Sequence, residues 1–230
     1  MTNMLCESAF FGVVISLLAY ELGMLLKKKF GLPIFNPLLI SIAVVIVFLA
    51  VFDIDYQNYN DGAKYLSYLL TPATVCLAIP LYKQLELLRQ HLIAVASAIV
   101  AGVAGSVGSI YVMCRFFQLE HTHYVTLLPK SITTAIGMGV SEEAGGIVTL
   151  TVISIIITGI LGNIIADWLF QIFKIEEPIA KGLALGTAAH AIGTAKALEL
   201  GEIEGAMSSL SIAVAGLLTV VVVPLMSGLI

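Results

Sequence analysis

The chain has 230 residues, 59% of them hydrophobic and only 11% charged, with a mean hydropathy of +1.03. Soluble domains carry about 25% charged residues, so this composition excludes an ordinary soluble domain and points to a multi-pass membrane protein. The net charge of −4 is spread over the loops without a basic patch, which excludes nucleic acid as a partner.

Taken in order, residues 8–26 predict a first span. Glu21 lies near its end, close to Lys27-Lys28-Lys29, and reads as an interfacial group that snorkels or pairs. The lysine run faces the cytoplasm by the positive-inside rule. The uncharged N-terminus up to Glu7 has no basic region or small-residue cleavage site, so no cleaved signal peptide is expected. Gly31 to Pro37 reads as a rigid entry to a second span over 38–52. The acidic stretch Asp53–Asp61 lacks EF-hand spacing and is expected as a solvated external loop. Residues 65–82 are interrupted at Pro72 and Pro80. They form either one kinked helix or a break, with a half-helix starting near Pro72 whose N–H groups are free to hold an anion.

Residues 92–114 predict a clean span. Ala98, Gly102 and Ser106 follow the small-xxx-small spacing of a packing face rather than a site. Arg115–His123 is expected as a loop. His121 and His123 beside Glu120 have no obvious third ligand, so no metal site is expected there. Cys6, Cys76 and Cys114 are widely separated and read as free thiols. Residues 144–166 and 205–230 predict two more spans.

Two segments do not fit a simple span. Only 11 uncharged residues separate Lys130 from Glu142, and only 14 lie between Lys181 and Lys196. A straight spanning helix needs about 20. Pro129 followed by Ser131, Thr133 and Thr134 reads as a helix start, and a lysine there suits a bound anion. The alternative is an interfacial turn with Lys130 in water. The second segment holds Gly182, Gly186 and Gly193 with Thr187, His190 and Thr194. Short, glycine-interrupted apolar segments are the best sequence pointer to a transporter site. The alternative is a tightly packed helix with His190 bonded to a neighbour. The expected fold is an all-α membrane protein of about 7–8 transmembrane helices, with two broken or re-entrant segments. It forms one domain over 1–230, with inverted pseudo-repeats near 1–117 and 118–230. No His-Glu-x-x-His, Gly-x-Ser-x-Gly or intramembrane aspartate pair is present, so the chain is not expected to be an enzyme.

Leu128-Pro129-Lys130-Ser131-Ile132-Thr133-Thr134, Glu142–Gly146, Gly182–Ala195 and the earlier Thr71-Pro72-Ala73-Thr74-Val75 together resemble the hallmarks of the LrgB/CidB family of bacterial membrane proteins. The resemblance covers essentially the whole chain. One departure is Ala135, where many relatives carry proline. The family is described as holin/antiholin-like, tuning murein hydrolase activity and lysis. A plant plastid member moves glycolate and glycerate, and bacterial members are linked to pyruvate movement. The resemblance therefore implies a bacterial plasma-membrane protein that carries small monocarboxylates or regulates lysis. It also implies a separate small LrgA/CidA-like membrane partner. No cofactor or metal is implied, and the small-residue faces suit a homo-oligomer, with a dimer favoured. On this reading Lys130 attracts the carboxylate. Thr71, Thr74, Ser131, Thr133, Thr134, Thr187 and Thr194 line its path as hydroxyl donors. His190 takes a coupled proton, because its reference pKa lies near physiological pH.

Overall fold

The computed structural model of the chain describes residues 10–32 and 35–230, without the side chains of Leu70, Thr71 and Thr74. Cys6, Glu7 and the start of the first expected span lie outside the described residues, as do Pro33 and Ile34. All regular structure among the described residues is α-helical. The chain divides into two compact units, one ending at Cys76 and one running from Leu77 to Ile230.

In the first unit, α1 (Phe11–Phe30) stops at Gly31, whose φ of 65° lets its N–H reach the Lys27 carbonyl. Lys27, Lys28 and Lys29 occupy the last turn, where the helix dipole favours cations. The helix α2 (Pro37–Val51) begins with a proline, and the Asn36 side chain accepts from the N–H groups of Leu38 and Leu39. The expected loop 53–61 is shorter than anticipated. Asp55 accepts from the Gln57 N–H at 2.9 Å and starts α3 (Tyr56–Ser67) inside it, an N-cap signal that the acidic composition masked. α3 packs on α1, with Tyr59 OH 2.7 Å from Ser16 Oγ. Pro72 lies in the first turn of α4 (Leu70–Cys76), where a missing N–H removes no helical bond. A short helix begins near Pro72, while Tyr68 before it keeps helical φ and ψ, so the segment is a run of short helices joined by tight turns.

The second unit opens with the short helices α5 (Ala78–Lys83) and α6 (Leu85–Gln90). It is built on three helices long and apolar enough to cross a membrane: α7 (Leu92–Phe116), α10 (Val148–Ile172) and α12 (Glu202–Ser227). One stripe of α7, namely Val95, Ile99, Val103, Val107, Ile110 and Cys114, is buried at three- and four-residue spacing. It packs with Tyr124, Leu128, Leu183, Met207, Ala215 and Val223 in the core.

Between the long helices the chain makes two hairpins. The first comprises α8 (His121–Leu127), the turn through Pro129 and Lys130, and α9 (Thr134–Glu143). Tyr124 OH donates to the Met226 carbonyl at 3.0 Å, near the end of α12. Leu128 and Ser131 line a space with Thr219 and Ala215, nearer the middle of α12. The chain therefore advances into the bundle. It returns by Gly146, because the Ile147 N–H donates to Thr126 Oγ1 at 2.8 Å.

The second hairpin is α11 (Pro178–Leu200), which is interrupted at His190 (φ 41°, ψ −136°). A Cβ at Gly182 would strike Glu204, and one at Gly186 would strike Ser208 and Ser211. The limb 178–189 thus runs alongside and in the same direction as the first turns of α12. Beyond the break, Thr194 Oγ1 lies 2.7 Å from Ser208 Oγ, and Leu198 lies against Gly205. The limb 191–200 therefore runs the opposite way. The Leu185 carbonyl lies directly against Gly193, although residues eight apart in a straight helix are ~12 Å apart along the axis. One hairpin is thus based at the start of α12 and the other at its end, with their tips meeting between.

Two measurements check this packing. In a background lacking native cysteines, cysteines at 185 and 193 will cross-link on oxidation, whereas a straight helix would hold them beyond disulfide reach. Gly186→Val will lower stability by ~1–3 kcal/mol through overpacking against Ser208. Gly105→Ala meets open space and will not lower it. Thermal unfolding of the purified protein reads both.

Candidate functional site

The hairpin tips bound a cavity of ≈ 720 Å³. α7 supplies Ala98, Ala101, Gly102 and Ser106, and the first hairpin supplies Lys130 and Ser131. α10 supplies Thr158, Leu161, Gly162 and Ile165, and the first limb of α11 supplies Ala184, Thr187 and Ala188. Most of this wall is small and apolar, and its polar groups converge near one end. A niche of ≈ 10 Å³ adjoins it, bounded by Ser106, Ser131, Thr187 and Thr219. That volume admits about one water molecule.

Lys130 is the one charged residue on the cavity wall. Among the described residues no carboxylate lies within ion-pair distance of it. Its Nζ instead donates to Ser131 Oγ at 3.0 Å. The tip continues into α9, which starts after Thr133 without a side-chain cap. A helix start leaves its first N–H groups without partners inside the helix, and its dipole adds positive potential there. The ammonium on the wall suits an anion, and the start of α9 lies three to four residues further on, off that wall.

The structure brings Lys130, Ser131 and Thr187 onto this cavity. Thr187 Oγ1 also donates to the Leu183 carbonyl at 2.8 Å. Thr133 and Thr134, partly exposed at the start of α9, are not on its wall. Thr71 and Thr74 belong to the first unit, and their side chains lie outside what is described.

His190 and Thr194 lie deeper, against α10 and α12. His190 is 3% exposed, and its Nε2 is 2.9 Å from the Ile155 carbonyl. A carbonyl only accepts, so that nitrogen carries the proton. Gly159 leaves room for the ring, since a Cβ there would sit 2.7 Å from His190 Cε1. Thr194 Oγ1 donates to the His190 carbonyl at 3.1 Å. Asn163 Nδ2 donates to the Ile192 carbonyl at 3.2 Å, next to the break. A non-glycine residue at positive φ persists only where its surroundings hold it, and these bonds do so. The lysines that bracket the segment are both held by α10. Lys196 Nζ is 2.7 Å from Asp167 Oδ2, and Lys181 Nζ is 6.0 Å from the Phe170 ring centroid.

Two hydroxyls of the wall were not expected there: Thr158, and Ser106, which the sequence reading placed on a packing face rather than a site. Ser106 was hidden by its spacing, because Ala98, Gly102 and Ser106 look like a packing stripe alone. That stripe does pack at Gly102, where a Cβ would sit 2.7 Å from Thr187 Oγ1. The same face also borders the cavity, and the hydroxyl at 106 is the signal that distinguishes the two uses. Elsewhere, His121 Nδ1 lies 2.7 Å from the Ile230 carbonyl. No group of three potential metal ligands occurs among the described residues.

Residues 16–229 match the profile of the LrgB-like family. Antiholin-like protein LrgB of Bacillus mycoides is 41% identical over 217 residues, covering 94% of either chain. The proteins of that name from Bacillus cereus and Bacillus anthracis match to the same extent, 41% over 94% of each chain. No solved structure matches. With the family profile spanning nearly its whole length and relatives 41% identical over 94% of it, the chain belongs to the LrgB-like family of membrane proteins.

Proposed function

We propose that this protein is a multi-pass carrier of small monocarboxylates in the bacterial plasma membrane. The observation that carries this reading is the ammonium of Lys130, on the wall of an open cavity without a carboxylate beside it. An uncompensated charge inside an apolar bundle is costly, and a carboxylate in the cavity would neutralise it. Ser131 donates to that guest from the first hairpin tip, and Thr187, whose own proton goes to the Leu183 carbonyl, lines the wall opposite and donates only if that bond opens. Thr71, Thr74, Thr133, Thr134 and Thr194 act along its path or support the tips. Pyruvate, glycolate and glycerate are the substrates that this reading favours.

Counting the broken segments, the chain makes about seven to eight crossings arranged as an inverted repeat. A Pro129 segment that turns back to its own side supports that arrangement, which is common in carriers with a site at mid-membrane. Movement of the hairpins against the long helices alternates access, and the protein does no chemistry on its substrate. His190 couples a proton through Nδ1, since Nε2 is engaged by Ile155. A separate LrgA/CidA-like protein and a second copy of this chain are its partners in the membrane.

A second reading rests on the printed names of the relatives, which call them antiholin-like. In it the protein forms an oligomeric membrane assembly that regulates murein hydrolase activity and lysis. The two readings separate in proteoliposomes. A carrier gives saturable uptake of labelled glycolate or pyruvate without dye leakage, whereas a pore-forming assembly releases dye. Lys130→Gln will reduce uptake at least tenfold, the scale of losing a charged hydrogen-bond donor. His190→Gln will abolish the dependence of uptake on a pH gradient while leaving exchange at equal pH. Saturable uptake that is undiminished in both variants would remove these residues from the mechanism.

A further inference from the structure

Ser106 belongs to none of the broken segments, yet it touches the first of them. Its Oγ donates to Ser131 Oγ at 2.9 Å, and Lys130 Nζ donates to the same oxygen at 3.0 Å. A serine hydroxyl has two acceptor lone pairs and one proton. Both lone pairs of Ser131 are therefore occupied, one from α7 and one from the adjacent lysine. Only its proton remains, and that proton points away from both donors. Lys130 keeps two further N–H groups and has no lone pair to offer. Lys130 and Ser131 thus present donors alone, while Ser106 and Thr187, whose protons go to Ser131 Oγ and the Leu183 carbonyl, keep their lone pairs.

Packing does not account for a serine here. The close approach of α7 to the second hairpin is made one turn earlier, at Gly102 against Thr187. Alanine at 106 would pack as well and would bury no hydroxyl. What serine adds is the bond to Ser131. We propose that Ser106 is a positioning residue for anion selectivity. By filling the second lone pair of Ser131, it makes that hydroxyl a fixed donor beside Lys130, so that this end of the cavity favours a carboxylate over the neutral amide of the same shape.

The inference rests on the carboxylate reading above and extends it to a residue outside the family motifs. An amide nitrogen brought against Lys130 and Ser131 faces donors with its own donors, and groups left unpaired in this way account for strong discrimination. Without the Ser106 hydroxyl, the Ser131 hydroxyl turns and offers a lone pair to the amide.

The test uses the full chain purified in detergent, with glycolate and glycolamide as probes and calorimetry as the readout. Wild-type protein will bind glycolate in preference to glycolamide. In Ser106→Ala that ratio will fall about tenfold, the size of one hydrogen bond gained by the amide and one weakened for the acid. Ser106→Thr keeps the donor, and its extra methyl group has the cavity to occupy, so it will restore the ratio. A ratio of affinities is insensitive to the fraction of protein that is folded. An unchanged ratio in Ser106→Ala, or a parallel loss of both ligands that threonine does not rescue, overturns the role of Ser106 and leaves the carboxylate reading standing. Failure of the wild-type protein to bind glycolate overturns that reading and this inference with it.

Discussion

The charge of Lys130 is the constraint around which the second unit is arranged. An ammonium away from bulk water needs either an anion or a set of acceptors. Here it has one serine oxygen, and that oxygen is shared with Ser106. The turn at Pro129 carries Lys130 to the level of Ser106, close to the middle of α7, a 25-residue helix that is ~37 Å long. A lysine that only anchored the chain at a membrane surface would sit near a helix end, where water is available. Its position at mid-helix makes sense as attraction held in reserve for a guest.

Irregular backbone at that depth has its own requirement. Hydrocarbon offers no hydrogen bonds, so a broken helix is tolerated only where protein or a wet cavity surrounds it. Both hairpins meet this condition through small residues and hydroxyls. Gly182 and Gly186 bring the first limb of α11 onto α12, and Gly159 admits the His190 ring to the Ile155 carbonyl. Thr126, Thr187, Ser209 and Thr219 each donate to the carbonyl four residues earlier, so their hydroxyls are buried without a lost bond. Glycine therefore does opposite work at different points. In α11 it permits tight packing of a fixed limb, and at Gly102 it leaves clearance for Thr187 beside the cavity.

Much of this was legible in the sequence because span length is a hard limit. The short uncharged intervals after Lys130 and after Lys181 could not cross a bilayer as straight rods, and both proved to be hairpins. Local chemistry also marked the starts, with Asn36 before Pro37 and Pro72 in the first turn of α4. Depth and direction were not legible. His190 and Lys130 belong to similar-looking segments, but one is locked against α10 and the other borders the cavity. No periodicity distinguishes those outcomes, because they depend on which long helix each tip meets. Ser106 was missed for the same reason, since a small residue at four-residue spacing serves contact and cavity wall equally well. The helix α3 was missed because tyrosine and asparagine around a single acidic cap resemble a solvated loop.

The placement of the two tips bears on how such a protein works. α7 meets both within one turn, through Gly102 to Thr187 and through Ser106 to Ser131. The first contact is steric and carries no hydrogen bond, whereas the second is a directional bond. A displacement of the second hairpin along α7 would therefore cost little at Gly102. Displacing the first hairpin would break the bond that orients Ser131. The asymmetry assigns the orienting of Ser131 to the first hairpin, whereas the second is held elsewhere, by His190 against Ile155 and by Gly182 and Gly186 against α12. At its base the second hairpin is tethered to α10 as well, at Asp167 and Phe170, through contacts made by long lysine side chains.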